Sequence, residues 1–211
     1  MKSADHRVDY RNTGLTGGPV TRYAVLGALF LSIVAPSPLP AQDFDVLMAA
    51  SRDTAGQLIQ QLGGQLRAEL AKGGPDAAIA VCKSIAPELA GRASREKGWR
   101  VSRVSLKTRN PLLGAPDAWE QRVLEEFDQR AAAGEKAETL EVGEVVQEPA
   151  GRYYRYMKAI PVQPMCLTCH GAAETIPPTV RQKLREEYPH DRATGYSVGQ
   201  VRGAVTVKQP L

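Results

Sequence analysis

Beyond residue 42, apolar side chains recur at helical spacing: Phe44, Leu47, Met48, Ala55, Leu58, Ile59, Leu62, Leu66 and Leu70. Such spacing gathers them on one face of a helix over Asp43–Lys72, for which Asp43 is the expected N-cap. Gly63-Gly64 weakens its middle. Gly73-Gly74-Pro75 ends it, because glycine accepts the left-handed turn and proline cannot continue the ladder. Pro75 and Asp76 then open a second helix, in which Ala78, Cys82, Ile85 and Leu89 share a face and carry Cys82 inward. Pro87 lacks a backbone N–H and clashes one turn back, which predicts a kink or break just beyond Cys82.

The pattern changes after residue 98. Trp99–Leu106 alternates like a strand, Thr108–Asp117 is a loop rich in turn residues, and Asp117 caps a helix through Trp119, Val123, Leu124 and Phe127 to about Ala133. Thr139–Val146 and Arg152–Ile160 form two extended runs around Gly151, an antiparallel pair. Pro178–Tyr188 has the spacing of a short amphipathic helix, and Tyr196–Val207 closes the chain as a strand. Helices first and strands later predict an α+β domain with an antiparallel sheet. It spans 42–211, with a helical arm over 43–97 and the sheet and cysteine segment over 98–211.

The first 41 residues follow a different rule. No charge falls between Tyr23 and Gln42, and the apolar block Ala24–Ala35 follows Arg22 and is broken by Pro36, Pro38 and Pro40 before Ala41. The block is short for a spanning helix. A secretory signal over 1–41, cut after Ala41, is expected, with an uncleaved N-terminal anchor as the alternative. Either places the body outside the cytoplasm, in the periplasm, and only the anchor ties it to a membrane. The net charge of +4 shrinks accordingly, since Lys2, Arg7, Arg11 and Arg22 stand against Asp5 and Asp9 in the leader. No basic stripe interleaved with aromatics follows, so nucleic acid is not an expected partner.

Three cysteines, Cys82, Cys166 and Cys169, are an odd number for an oxidising compartment. Met165–Gly171 reads M-C-L-T-C-H-G, the C-x-x-C-H spacing of haem c attachment. Two thiols three residues apart can each add to a haem vinyl group, and the adjacent imidazole then lies beneath the iron. Other chemistries use the same atoms. A Cys3His zinc site from Cys82, Cys166, Cys169 and His170 has suitable donors but lacks a second close-spaced pair. A thioredoxin-like dithiol needs a βαβ context that the Pro-rich segment before the motif does not provide. A plain disulfide between Cys166 and Cys169 leaves His170 and Cys82 unused. Candidates for a sixth iron ligand are Cys82, His190, Met48, Met157 and Met165.

Further pieces extend this picture: A-V-C-K-S-I-A-P (Ala80–Pro87), R-V-S-L-K-T-R-N-P (Arg103–Pro111), A-P-D-A-W-E (Ala115–Glu120), Tyr153-Tyr154, Y-P-H-D-R-A-T-G-Y (Tyr188–Tyr196) and V-R-G-A (Val201–Ala204). With the cysteine motif they make most of the chain after the leader resemble the small exported haem c domains of the cyanobacterial Tll type. That resemblance implies a PAS-like antiparallel sheet and one covalent haem c. It also implies His170 on one face of the iron and a cysteine, here Cys82, on the other. The chain departs from the family at Leu112-Leu113-Gly114, where a short Asn-containing link is usual. Arg103, Arg109 and Tyr153 are candidates for the haem propionates.

A thiolate opposite an imidazole favours ferric iron and leaves no open position for substrate. The expected function is therefore non-enzymatic: redox sensing or electron transfer, with output to a separate redox or signalling partner. The alternative, a haem enzyme acting on peroxide or nitrogen oxides, needs a vacant iron position and a distal acid or base, for which His190 is the remaining imidazole of the mature chain.

Overall fold

The computed structural model describes residues 41–211, so the leader expected over 1–41 lies outside the described residues except for Ala41. Ala41 opens α1 (Ala41–Ala80), which puts Asp43 in the first turn rather than at the cap. Hydrogen bonding carries α1 past the expected stop, and the break is confined to Gly74, whose φ of 69° only glycine adopts cheaply. No described helix is long and apolar enough to cross a membrane.

At Val81–Ile85 the helix widens into a π-turn, and α2 (Ala86–Lys97) follows with Pro87 in its first turn. Pro87 has no N–H for the carbonyls one turn earlier, and the backbone answers by loosening rather than breaking. The extra residue in the turn rotates everything after it. Ala86 and Ala90 are buried instead, while Ile85 and Leu89 are only half-buried, so the expected stripe of Ala78, Cys82, Ile85 and Leu89 does not survive as one face.

Four antiparallel strands form an open sheet in the order β1-β4-β3-β2: β1 (Arg100–Val104), β2 (Glu141–Glu148), β3 (Gly151–Pro161) and β4 (Val201–Pro210). β1 is shorter at both ends than its alternation suggested, and β4 starts later and runs on to Pro210. Ser105 leaves the ladder to meet Gly114 and Arg202, and Tyr196–Gln200 remains a loop. The expected loop over 108–117 contains a single turn, α3 (Pro111–Gly114), capped by the Asn110 side chain.

One sheet face packs on α4 (Ala118–Ala132), where Trp119, Val123, Leu124 and Phe127 bury against Val104, Met157, Ala159 and Ala204. Asp117 and Glu120 close its N-terminus with a reciprocal capping box. The other face carries Val101, Tyr154, Tyr156, Val205 and Val207, closed by Ala55 and Leu58 of α1 and Ala90 of α2. Ile59 and Leu62 add partly buried contacts, and beyond Leu62 α1 no longer lies on the sheet core. Its end packs Ile79 against Ile176, Val180, Leu184 and Tyr188, the last four around α6 (Pro178–Glu187), with Cys169 at the margin. Between this cluster, the π-turn and the sheet, the layers stay apart.

Candidate haem site

The gap between the layers is a cavity of about 490 Å³, within the range of about 300–1,000 Å³ usual for small-molecule sites. Its apolar wall is the second half of α1: Ile59, Leu62, Leu66 and Leu70 all line it. A helix stripe this apolar normally buries against protein. Here Ile59 and Leu62 pack only in part on the sheet core, and Leu66 and Leu70 face the cavity.

Cys82, Cys166, Cys169 and His170 line this same cavity. Cys82 comes from the π-turn, and the other three from a 3-10 turn (Pro164–Cys166) running into α5 (Leu167–His170). Gly171 ends α5, and a Cβ there would stand 2.7 Å from the Leu167 carbonyl, so the tight exit from the motif requires glycine. A side chamber of about 150 Å³ adjoins the cavity and again includes Cys82 and His170 in its walls, with Arg103, Arg109 and Arg202. A larger groove of about 1060 Å³, at the far end of α4, contains none of the four cysteine and histidine side chains.

His170 is held in one state. Its Nδ1 lies 2.6 Å from the Ala193 carbonyl, which can only accept, so Nδ1 carries the proton and Nε2 keeps its lone pair. Burial first, then the guanidiniums of Arg202 and Arg109, hold the imidazole's pKa well below the usual histidine range. The neutral ring with a bare Nε2 is the metal-ligating form. That nitrogen now meets a cation of the protein itself, because Arg202 Nε donates to it at 3.4 Å. Arg202 Nη1 is anchored on Ser105 Oγ at 2.8 Å and on the Lys107 carbonyl at 3.2 Å. A metal at Nε2 requires this flexible side chain to swing aside.

The remaining sulfurs and charges complete the picture. Burial pushes the Cys169 thiol up, opposed by Arg109, and Cys166 Sγ accepts from the Gln163 N–H at 3.4 Å. The Tyr188 phenol, also on the cavity wall, is pushed up to about 12, mainly by burial. Arg103 and Arg202 have no carboxylate partner among the described residues, whereas Arg109 pairs with Asp191 at 3.0 Å. No group of three His, Cys, Asp or Glu side chains among the described residues stands close enough to hold a metal ion, so the Cys3His tetrahedron is not assembled.

Several sequence candidates are sorted by position. Met48 packs by its sulfur on the Tyr154 hydroxyl at 3.4 Å, Met157 is buried on the α4 side, and His190 is exposed; none of the three lines the cavity. Met165 does line it. Tyr153 lies elsewhere, with Lys208 over its ring at 4.1 Å, and is removed from the anion-binding candidates. Arg202, Asp191 and Ala193 were not singled out from sequence. Each sits in one of the short matching pieces quoted above, and the fold brings those pieces together around His170.

The Tll0287-like family profile matches residues 41–210. The chain belongs to the Tll0287-like family. Among solved structures, the crystal structure of the cyanobacterial heme-protein Tll0287 matches with a TM-score of 0.57 and 28% identity, covering 82% of this chain and 97% of that one. Nothing among curated proteins matches. The Tll0287-like fold is α+β and PAS-like, with a long N-terminal helix over an open four-stranded antiparallel sheet.

Proposed function

We propose that this Tll0287-like chain is an exported c-type haem protein that senses redox state, with electron transfer as the simpler use of the same centre. One observation carries the reading: three cysteines and a histidine, 88 positions apart at the extremes of Cys82 and His170, line a single apolar-walled cavity. The related heme-protein Tll0287 supports haem as the occupant.

Cys166 and Cys169 would hold the group by two thioethers. Thioether formation by addition of each thiol to a vinyl group would consume no oxidant or reductant. His170 Nε2 and Cys82 Sγ would hold the iron. When bound, haem supplies a one-electron ferric/ferrous couple, which a thiolate opposite an imidazole biases toward ferric.

The protein's own part is positioning and exclusion. Ile59, Leu62, Leu66 and Leu70 line the cavity and would exclude water around a bound group. The Ala193 carbonyl holds the proton on Nδ1. Arg103 and Arg202, lacking carboxylates, suit the propionates as forked donors once Arg202 leaves His170. Cys82 sits on a π-turn, where a bond made or lost at sulfur can change the register of the helix behind it. Output then passes to a separate redox or signalling partner in the periplasm.

The test is maturation in a host that assembles cytochromes c. The expected product carries the mass of one haem and shows a low-spin ferric spectrum, and Cys82→Ser shifts the Soret band and raises the midpoint potential. A bare polypeptide mass overturns the reading, and an unshifted spectrum in Cys82→Ser removes Cys82 from it.

A further inference from the structure

The side chain of Arg109 was a candidate for binding an anion in the cavity, yet two of its three nitrogens are already engaged by the protein. Nε donates to Asp191 Oδ2 at 3.0 Å and Nη2 to the Cys169 carbonyl at 2.6 Å. Both partners of the ion pair are nearly closed to solvent, with side chains 8% and 11% exposed. Asp191 uses its other oxygen to accept the Ala193 N–H at 2.8 Å, and the Ala193 carbonyl takes the His170 Nδ1 proton. The chain of contacts thus runs from the motif backbone through Arg109, Asp191 and Ala193 to the ring that follows the motif.

We propose that Arg109 and Asp191 are positioning residues that clamp the His170 imidazole through the Ala193 carbonyl, fixing its orientation and strengthening Nε2 as a ligand. The inference rests on the haem reading for its consequence at iron, but the clamp itself lies wholly within the protein. Backbone bonds reinforce it: Tyr196 N–H to the His170 carbonyl at 2.9 Å, Gly195 N–H to the Gly171 carbonyl at 2.8 Å, and Arg192 N–H to the Thr108 carbonyl at 2.9 Å. A carbonyl that cannot move is a stronger orienting acceptor than one on a free loop. Asp191 immobilises it, and Arg109 immobilises Asp191. Outer partners of this kind commonly change metal affinity by about 10–100-fold when removed.

Two measurements separate the clamp from the haem reading. In apoprotein, nitrogen NMR follows exchange of the His170 Nδ1 proton with water. Asp191→Ala is expected to speed it by about tenfold or more, with Asp191→Asn, which keeps the shape, in between. In haem-loaded protein, the same variants keep their thioether haem but lose His170 to added imidazole about tenfold faster and show a raised midpoint potential. Arg109→Lys, which retains charge but not the fork, follows Asp191→Asn. Glu120→Gln, in the buried ion cluster on the opposite sheet face, destabilises the fold without moving either signal. Folded variants with wild-type exchange, displacement and potential overturn the clamp. A wild type without haem overturns the earlier reading instead, and the apoprotein exchange still decides the clamp.

Discussion

The two faces of the sheet treat an arginine in opposite ways. On the α4 side, Arg155 is met by Asp117 at 2.7 Å, Glu120 at 3.1 Å and Glu148 at 3.2 Å, stacks on Trp119, and shares Glu120 with Thr206. On the cavity side, Arg103 and Arg202 approach His170 and Cys82 with no acid among the described residues to answer them. A charge taken from water needs a counter-charge or a dense set of hydrogen bonds. The α4 face supplies its own carboxylates, although Arg155 Nε is left without a partner. The cavity face sets guanidiniums without carboxylate partners among the described residues beside the apolar side chains of Leu66 and Leu70, a pairing that suits the anionic, largely apolar occupant proposed above.

The sharpest way to break this contrast is Glu120→Ala. Removing one partner of the closed cluster leaves Arg155 under-compensated, and urea denaturation should show a loss of about 3–5 kcal/mol. A loss below about 1 kcal/mol would mean that the α4 face is not self-sufficient.

The open face makes a complementary prediction for loading. Amides of residues 59–70 on α1 should exchange hydrogen more than about tenfold more slowly in haem-loaded protein than in apoprotein, while those of α4 hardly change. Equal protection in both states would show that the stripe needs no cover.

A third measurement turns the first around. Arg103→Met should leave apoprotein stability within about 1 kcal/mol of wild type, or raise it, because no partner is orphaned. The same substitution should lower the haem-loaded yield. A large destabilisation of apoprotein would instead give Arg103 a structural role.

The smallest effect concerns pH. Glu141 accepts hydrogen bonds from Arg52 and from the Tyr156 hydroxyl, and these, against the opposing effect of burial, hold its carboxyl below the usual glutamate value. A lowered folded-state value means stability that is present above the unfolded glutamate pKa and lost as pH falls through the lowered one. Glu141→Gln should flatten this acid limb, by under about 1 kcal/mol because Arg52 is half exposed. Urea midpoints between neutral and acidic pH check it, and an unchanged slope would leave the pair without weight.

Legibility differs along the chain for reasons that are local or not. Asp117 as the cap of α4 and the β2–β3 hairpin around Gly151 are short-range features, and sequence spacing was enough to place both. The phase of the helix after Cys82 was not so accessible. Pro87 announces a missing hydrogen bond, but whether the backbone kinks or widens depends on what packs against it, and the widened turn moved Ile85 and Leu89 off the expected face.

By itself the sequence determined the reactive groups: a C-x-x-C-H segment, a third thiol on a helix ahead of a proline, and an α+β order of elements. Those are properties of residue type and near-neighbour spacing. Only the tertiary structure decided that Arg109 is tied to Asp191 while Arg202 reaches His170, and that Tyr153 has no place at the cavity. These partners are separated by 82 and 32 positions, and the strand register and loop closures that join them are set by burial across the whole sheet.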